Sequence, residues 1–92
     1  MPTYEVLLRR RAEKQLDQVP YADHLRIVEA LLALQDDPRP AGCRKLFDDI
    51  YRIRVGAYRV IYKVDDKEKQ VVVGKIARRR EDTYKRIGGL FQ

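Results

Sequence analysis

Ninety-two residues are enough for one domain, spanning 1–92, and too few for two independent cores. With 45% hydrophobic residues the chain can build a core, yet no apolar run approaches the ~20 residues of a membrane span. Twenty Lys and Arg against 14 Asp and Glu give a net charge of +6. The single cysteine, Cys43, excludes an internal disulfide, and the single histidine, His24, leaves a zinc site short of ligands. There is no serine and no asparagine, so a Ser-His-Asp triad cannot be built. No glycine-rich phosphate loop occurs either. The first residues show neither a signal-peptide nor a transit-peptide pattern, because Glu5 interrupts the short apolar run from Tyr4 to Leu8.

In chain order, Thr3 to Leu8 reads as a strand, with Tyr4, Val6 and Leu8 alternating against Thr3 and Glu5. Arg9 to Val19 turns helical, with Ala12 and Leu16 four apart, and Pro20 stops the run. A longer helix is expected from Tyr21 to Leu34, its apolar stripe formed by Leu25, Val28, Leu31 and Leu32. Asp36, Asp37, Pro38 and Pro40 end it, and Gly42 follows in an irregular connection. Ile50 to Val55 and Tyr58 to Val64 are strands joined by Gly56-Ala57, where glycine at the first central position suits a type II′ turn. Asp65 to Lys69 is a charged turn, Gln70 to Ile76 a further strand, and Glu81 to Ile87 a short final helix before Gly88-Gly89. The expected architecture is α+β: a helical hairpin packed on a small antiparallel sheet, in the order β-α-α-β-β-β-α.

The two-residue turn sets a register. Val55 then faces Tyr58, Ile53 faces Val60 and Tyr51 faces Tyr62, all on the core side. The other face carries Arg54 opposite Arg59, Arg52 opposite Ile61 and Ile50 opposite Lys63. Like charges directly opposite one another destabilise a sheet by some tenths of a kcal/mol (~0.2–1), so such a face implies an anion that completes it. Arg78, Arg79 and Arg80 end the following strand and are expected to extend the patch. The competing expectation is that Asp48, Asp49, Glu81 or Asp82 fold back onto these arginines. Charge distribution agrees with an anion site: residues 1–42 balance at −1 and residues 43–92 at +7. A polyanion, above all nucleic acid, is the partner such a half-molecule suits, the alternative being an ordinary solvated basic surface.

The run Tyr51-Arg52-Ile53-Arg54-Val55-Gly56-Ala57-Tyr58-Arg59-Val60-Ile61-Tyr62 resembles the signature hairpin of the RelE/ParE superfamily, toxins of prokaryotic type II toxin–antitoxin systems. The ending Ile76-Ala77-Arg78-Arg79-Arg80-Glu81-Asp82-Thr83-Tyr84-Lys85-Arg86 is similar to that superfamily's basic C-terminal segment, and the Pro38 region before Lys45-Leu46 fits its passage into the sheet. The resemblance spans nearly the whole chain. Its RelE-like branch implies a metal-independent, ribosome-dependent endoribonuclease that cuts mRNA and so inhibits translation. In that branch Arg52, Arg54 and Arg59 match basic strand and hairpin positions, and Tyr84 matches a C-terminal tyrosine. Arg78 and Arg80 match its late basic residues, with Arg79 still open because three arginines run together. Arg79 also stands where many relatives carry a histidine. Lys45, Lys63, Lys75 and Arg79 are the accompanying RNA-binding candidates.

The chemistry has its own logic. Cleavage by the 2′-OH needs the strand oriented, the 2′ proton removed, phosphorane charge stabilised and the 5′ oxygen protonated. Arginine supplies bidentate charge stabilisation but cannot act as a base. Tyr84 is the base candidate beside the arginines, if the cationic surroundings lower its pKa from about 10; the alternative makes it a core-closing aromatic. His24 reads as a surface or packing residue, Cys43 has no assigned role, and Tyr51, Tyr58 and Tyr62 read as core. The resemblance further implies no cofactor, a cognate antitoxin in a hetero-oligomer, the ribosome and mRNA as partners, no membrane, and a cytoplasmic site of action. Two other functions stay open: a ParE-like inhibitor of DNA gyrase without nuclease activity, and a non-catalytic relative that only binds antitoxin.

Overall fold

The structure, a computed structural model, describes residues 3–78. Strand β1 (Glu5–Leu8) leads into helices α1 (Arg10–Asp17) and α2 (Tyr21–Ala33), which are followed by β2 (Arg44–Phe47), β3 (Ile50–Val55), β4 (Tyr58–Asp65) and β5 (Gln70–Arg78). The five strands form one sheet in the order β1-β5-β4-β3-β2. The helical hairpin and the α+β class are as the sequence implies. The expected final helix at 81–87 lies outside the described residues.

Two features of the sheet correct the sequence reading. First, Arg44–Phe47 is an edge strand, antiparallel to β3, where an irregular connection was expected. Its four residues are too few, and too charged, to display an alternation. Asp48 then turns the chain at φ +47, a left-handed conformation that Asp tolerates better than most residues. Second, the sheet is mixed: β1 lies parallel to β5, pairing Val6 with Val71 and Leu8 with Val73. The pairing is possible because the two helices intervene, carrying the chain over one face before β5 arrives beside β1.

The β3–β4 hairpin has the register expected from its turn. Tyr51 pairs with Tyr62, Arg52 with Ile61, Ile53 with Val60, Arg54 with Arg59 and Val55 with Tyr58. Gly56 has φ +58 and Ala57 is not in the positive-φ region, which excludes a type I′ turn and fits type II′. One face of this hairpin meets the helices. There Tyr51, Ile53, Tyr58, Val60 and Tyr62 pack with Ala12, Leu16, Ile27, Leu31 and Leu34. The three tyrosines are therefore core, as read. The stripe expected on α2 is rotated in part: Leu31 and Val28 pack against the core as expected, joined by Ile27 and Leu34, while Leu25 and Leu32 are 45% and 54% exposed. Both sets have helical spacing, so periodicity alone could not choose between them.

Polar contacts tie the loops to this core. The buried Tyr62 hydroxyl donates to the Pro38 carbonyl at 2.8 Å, and burial pushes its pKa well above the usual tyrosine range. Arg39 donates from Nε to the Tyr51 hydroxyl (2.9 Å) and in bidentate fashion to Asp66 (3.2 and 2.8 Å). Tyr4 donates to the same carboxylate at 2.5 Å. His24 holds the α1–α2 corner, its Nδ1 lying 3.1 Å from the Leu16 carbonyl, which is the packing role expected of it.

Candidate nucleic-acid interface

The face of the sheet turned away from the helices is built by strand alternation and cross-strand register together. Its rows can be followed across the sheet. Arg54 stands beside Arg59, which stands beside Ala77. The next row runs Arg44, Arg52, Ile61, Lys75 across β2, β3, β4 and β5. Below it, Ile50 pairs with Lys63. Six cations from four strands thus share one face. Arg44 was missed in the sequence because its strand was not recognised. Apolar support comes from a small second cluster in which Ile50 and Ile61 pack with Leu46.

Among the described residues, carboxylates are scarce on this face. On β3 and β4 the one that shares its parity is Asp65, at the far end of β4, where it accepts the Glu68 amide at 3.0 Å. Asp48 and Asp49 line a 460 Å³ concavity with Lys45, Ile50 and Lys63. That concavity lies at the opposite end of β3 from Arg54, roughly 16 Å away at ~3.3 Å per residue. Among the described residues the one ion pair is Arg39–Asp66, remote from these rows in the loop network. The expectation that Asp48 or Asp49 folds back onto the hairpin arginines is thus not supported by any ion pair; Glu81 and Asp82 lie outside the described residues.

Arg52 is the unusual member of the set. It is 4% exposed, and its Nε is buried without a hydrogen-bond partner among the described residues. Desolvating a cation costs several kcal/mol (~2 or more) unless an anion or acceptor compensates. Arg54 is exposed, while Arg59, Lys63 and Lys75 are half-buried. Arginine-rich, the face can hold phosphate oxygens in bidentate geometry and stabilise extra charge on them. Its cations offer no base, since the guanidinium groups stay protonated.

Of the residues expected to act together, the structure brings together Arg52, Arg54, Arg59, Lys63 and Lys75. Arg78 falls elsewhere and Lys45 stands at the margin. Gly74 is an extra residue in β5, because Ile61 pairs with Lys75 while Tyr62 pairs with Val73. The bulge resets the alternation, so Arg78 pairs with Tyr58 on the helix side and its guanidinium lies 5.8 Å from that ring. Arg78 therefore does not join the patch as expected. Lys45 pairs with Tyr51, the parity of the helix side, but at the exposed sheet edge it lines the same concavity as Lys63. Arg79, Arg80 and Tyr84 lie outside the described residues.

Known proteins resemble this chain in sequence and fold. Residues 6–83 match the family model of the ParE toxin of type II toxin–antitoxin systems. The chain is 30% identical over 87 residues to a protein of Methanocaldococcus jannaschii that bears the name RelE1, covering 89% of this chain and 96% of that one. The archaeal RelE–RelB complex of Pyrococcus horikoshii contains a chain that superposes with TM-score 0.75 at 31% identity, over 86% of this chain and 98% of that one. The RelBE2 complex of Mycobacterium tuberculosis gives 0.74 at 25% identity, over 86% and 100%. Isolated E. coli RelE shares the fold, with TM-score 0.75 at 22% identity over 88% of this chain and 90% of that one.

Proposed function

Because the chain belongs to the RelE/ParE superfamily of type II toxin–antitoxin toxins, we propose that it is a RelE-like, ribosome-dependent endoribonuclease that cleaves mRNA without a metal. The observation that carries this reading is the buried Arg52, in a face whose paired positions are arginines. An anion against such a face offsets the desolvation of Arg52, and an RNA backbone supplies one.

In this reading Arg54 and Arg59 grip the scissile phosphate and stabilise the charge that develops as the 2′-OH attacks. Arg52 lies behind them and raises the local positive potential. Lys63 and Lys75 hold the flanking backbone, and Lys45 adds to the edge. The helix-side position of Arg78 leaves the role of the late arginine to Arg79 or Arg80. Tyr84 takes the role of base, which requires cations close enough to acidify its phenol. A catalyst built this way has little power to orient its substrate, and a ribosome that positions the mRNA supplies that orientation. An antitoxin partner is part of the proposal, since the archaeal and mycobacterial neighbours are toxin–antitoxin complexes. So is action in the cytoplasm; no helix among the described residues is long and apolar enough to cross a membrane.

A second reading, inhibition of DNA gyrase without nuclease activity, draws on the match to the ParE family model. Primer extension on mRNA with purified ribosomes, run beside a gyrase supercoiling assay, separates the two. The expected result is ribosome-dependent truncation of the extension products, lost in Arg59→Ala and Arg54→Glu, with supercoiling untouched. Full-length products together with blocked supercoiling would replace the nuclease by the gyrase reading.

A further inference from the structure

A second group of cations lies on α1, on the other side of the sheet from the rows above. Arg9 is the N-cap of α1, with no side-chain cap bond, and Arg10 and Arg11 open its first turn. The helix dipole disfavours cations at that end, so helix stability does not explain three consecutive arginines there. Arg10, Arg11 and Lys14 line a 320 Å³ concavity with Gln15 and Gln18. Gln15 and Gln18 also line a 290 Å³ concavity that continues past Val19 to Tyr58 and Arg78. The two hollows share a wall of carboxamides and together form a groove with cations at both ends. Glu13 and Asp17 lie on the same helix but do not line the groove, and among the described residues neither comes within ion-pair distance of a cation.

We propose that this groove, from Arg10, Arg11 and Lys14 past Gln15 and Gln18 to Arg78, is a second binding surface that takes the phosphodiester backbone of folded RNA. Three arguments select that ligand. Guanidinium, ammonium and carboxamide groups are the donors that phosphate and ribose oxygens require. The large exposed apolar side chains (Leu7, Tyr21, Leu25, Leu32 and Phe47) all lie outside the groove, so it lacks the anchors an acidic protein segment needs when it folds on contact. Finally, the described domain measures 32 × 29 × 25 Å, small enough for a folded RNA to engage both cationic faces at once. The inference rests on the proposed nuclease reading for its choice of RNA: the sheet face holds the strand that is cut, and the α1 groove holds the structured RNA around it.

The test uses the full chain and an RNA duplex as probe, with binding followed by fluorescence anisotropy across a salt series. Replacing Arg10, Arg11 and Lys14 by Gln is expected to weaken duplex binding at least tenfold. The log–log salt slope should fall by about 3, at ~0.9 for each phosphate that is no longer neutralised. The same variant should show a raised KM for ribosomes in the cleavage assay with kcat retained. Substitution of Arg10 and Arg11 by Lys should restore most of the binding, which separates the effect of charge from that of structure. Unchanged affinity and slope in the triple Gln variant would overturn the proposal. So would binding of poly-glutamate at least as tight as the duplex and equally sensitive to the substitutions, which would make the groove an acidic-protein surface. If the native chain binds the duplex through this groove yet cuts no mRNA on ribosomes, the nuclease reading fails and the groove stands.

Discussion

At 4% exposure the Arg52 guanidinium has left water while its Nε gains no hydrogen bond among the described residues. Replacing it with Met keeps much of the volume and removes the desolvated charge, so Arg52→Met should raise stability by about 1 kcal/mol or more. The same change should reduce RNA cleavage, and thermal melting beside primer extension reads both; a lowered Tm would mean that Arg52 holds the sheet together. Asp66 works in the opposite sense. Hydrogen bonds from Arg39 and then Tyr4 hold its carboxyl down at about 2, against 3.8 for the free side chain. A depressed carboxyl pKa stabilises the fold above the unfolded-state value and ceases to do so as pH falls through the folded one. The stability difference between the native chain and Asp66→Asn should therefore be present from neutral pH down to about 4 and vanish toward pH 2. Denaturant titrations across that range would show it, and a difference that persists at the acid end would contradict the role given to this network.

The β3–β4 hairpin is the element on which the candidate site depends, and its register follows from a two-residue turn. A Cβ at Gly56 would meet only Arg26 Nη1 at 3.6 Å and Asp23 Oδ1 at 4.0 Å, both ordinary contacts, so the cost of a side chain there is that of φ +58. Gly56→Ala should lower stability by about 1–2 kcal/mol, with Gly56→Asn costing less. Cross-strand contacts observed by NMR should keep Arg54 beside Arg59 in both variants; a slipped register would show that the turn does not set it. This hairpin was legible because alternation over six and eight residues, with glycine between, leaves one register that buries the tyrosines. Strand β5 was legible only in part. Its face changes at Gly74, and no local pattern marks the bulge, which appears only when β4 is laid beside it. For that reason Lys75 reached the patch and Arg78 did not.

On the scale of the whole molecule, the described residues leave exposed cations on the sheet face, Arg44 and Arg54, and exposed apolar side chains on α2, Tyr21, Leu25 and Leu32. A disordered antitoxin segment that folds on contact, acidic in places and apolar in others, would cover both and bury far more area than a rigid patch. Opposite charges would speed the encounter. The association rate of toxin and antitoxin should then fall as salt rises, and Tyr84 should be protected from chemical modification in the complex. Association indifferent to salt, with the basic face left open, would contradict that mode of neutralisation.

The sequence by itself determined the α+β class, the helical hairpin, the core face of β3 and β4 and the pairing of Arg54 with Arg59, because each follows from local periodicity or from turn geometry. It also carried the family resemblance, most densely in the run from Tyr51 to Tyr62. Tertiary structure decided the rest. Strand β1 took its place beside β5, more than sixty residues away in the chain; α2 presented Ile27 and Leu34 beside the expected Leu31 and left Leu25 and Leu32 exposed; and β2 added Arg44 to the row of Arg52. Burial of Arg52, the feature that most directly asks for an anion, belongs to the same class. A local pattern can assign a side chain to a face, but what covers that face depends on elements distant in sequence, and the cost of removing a charge from water is set by those neighbours.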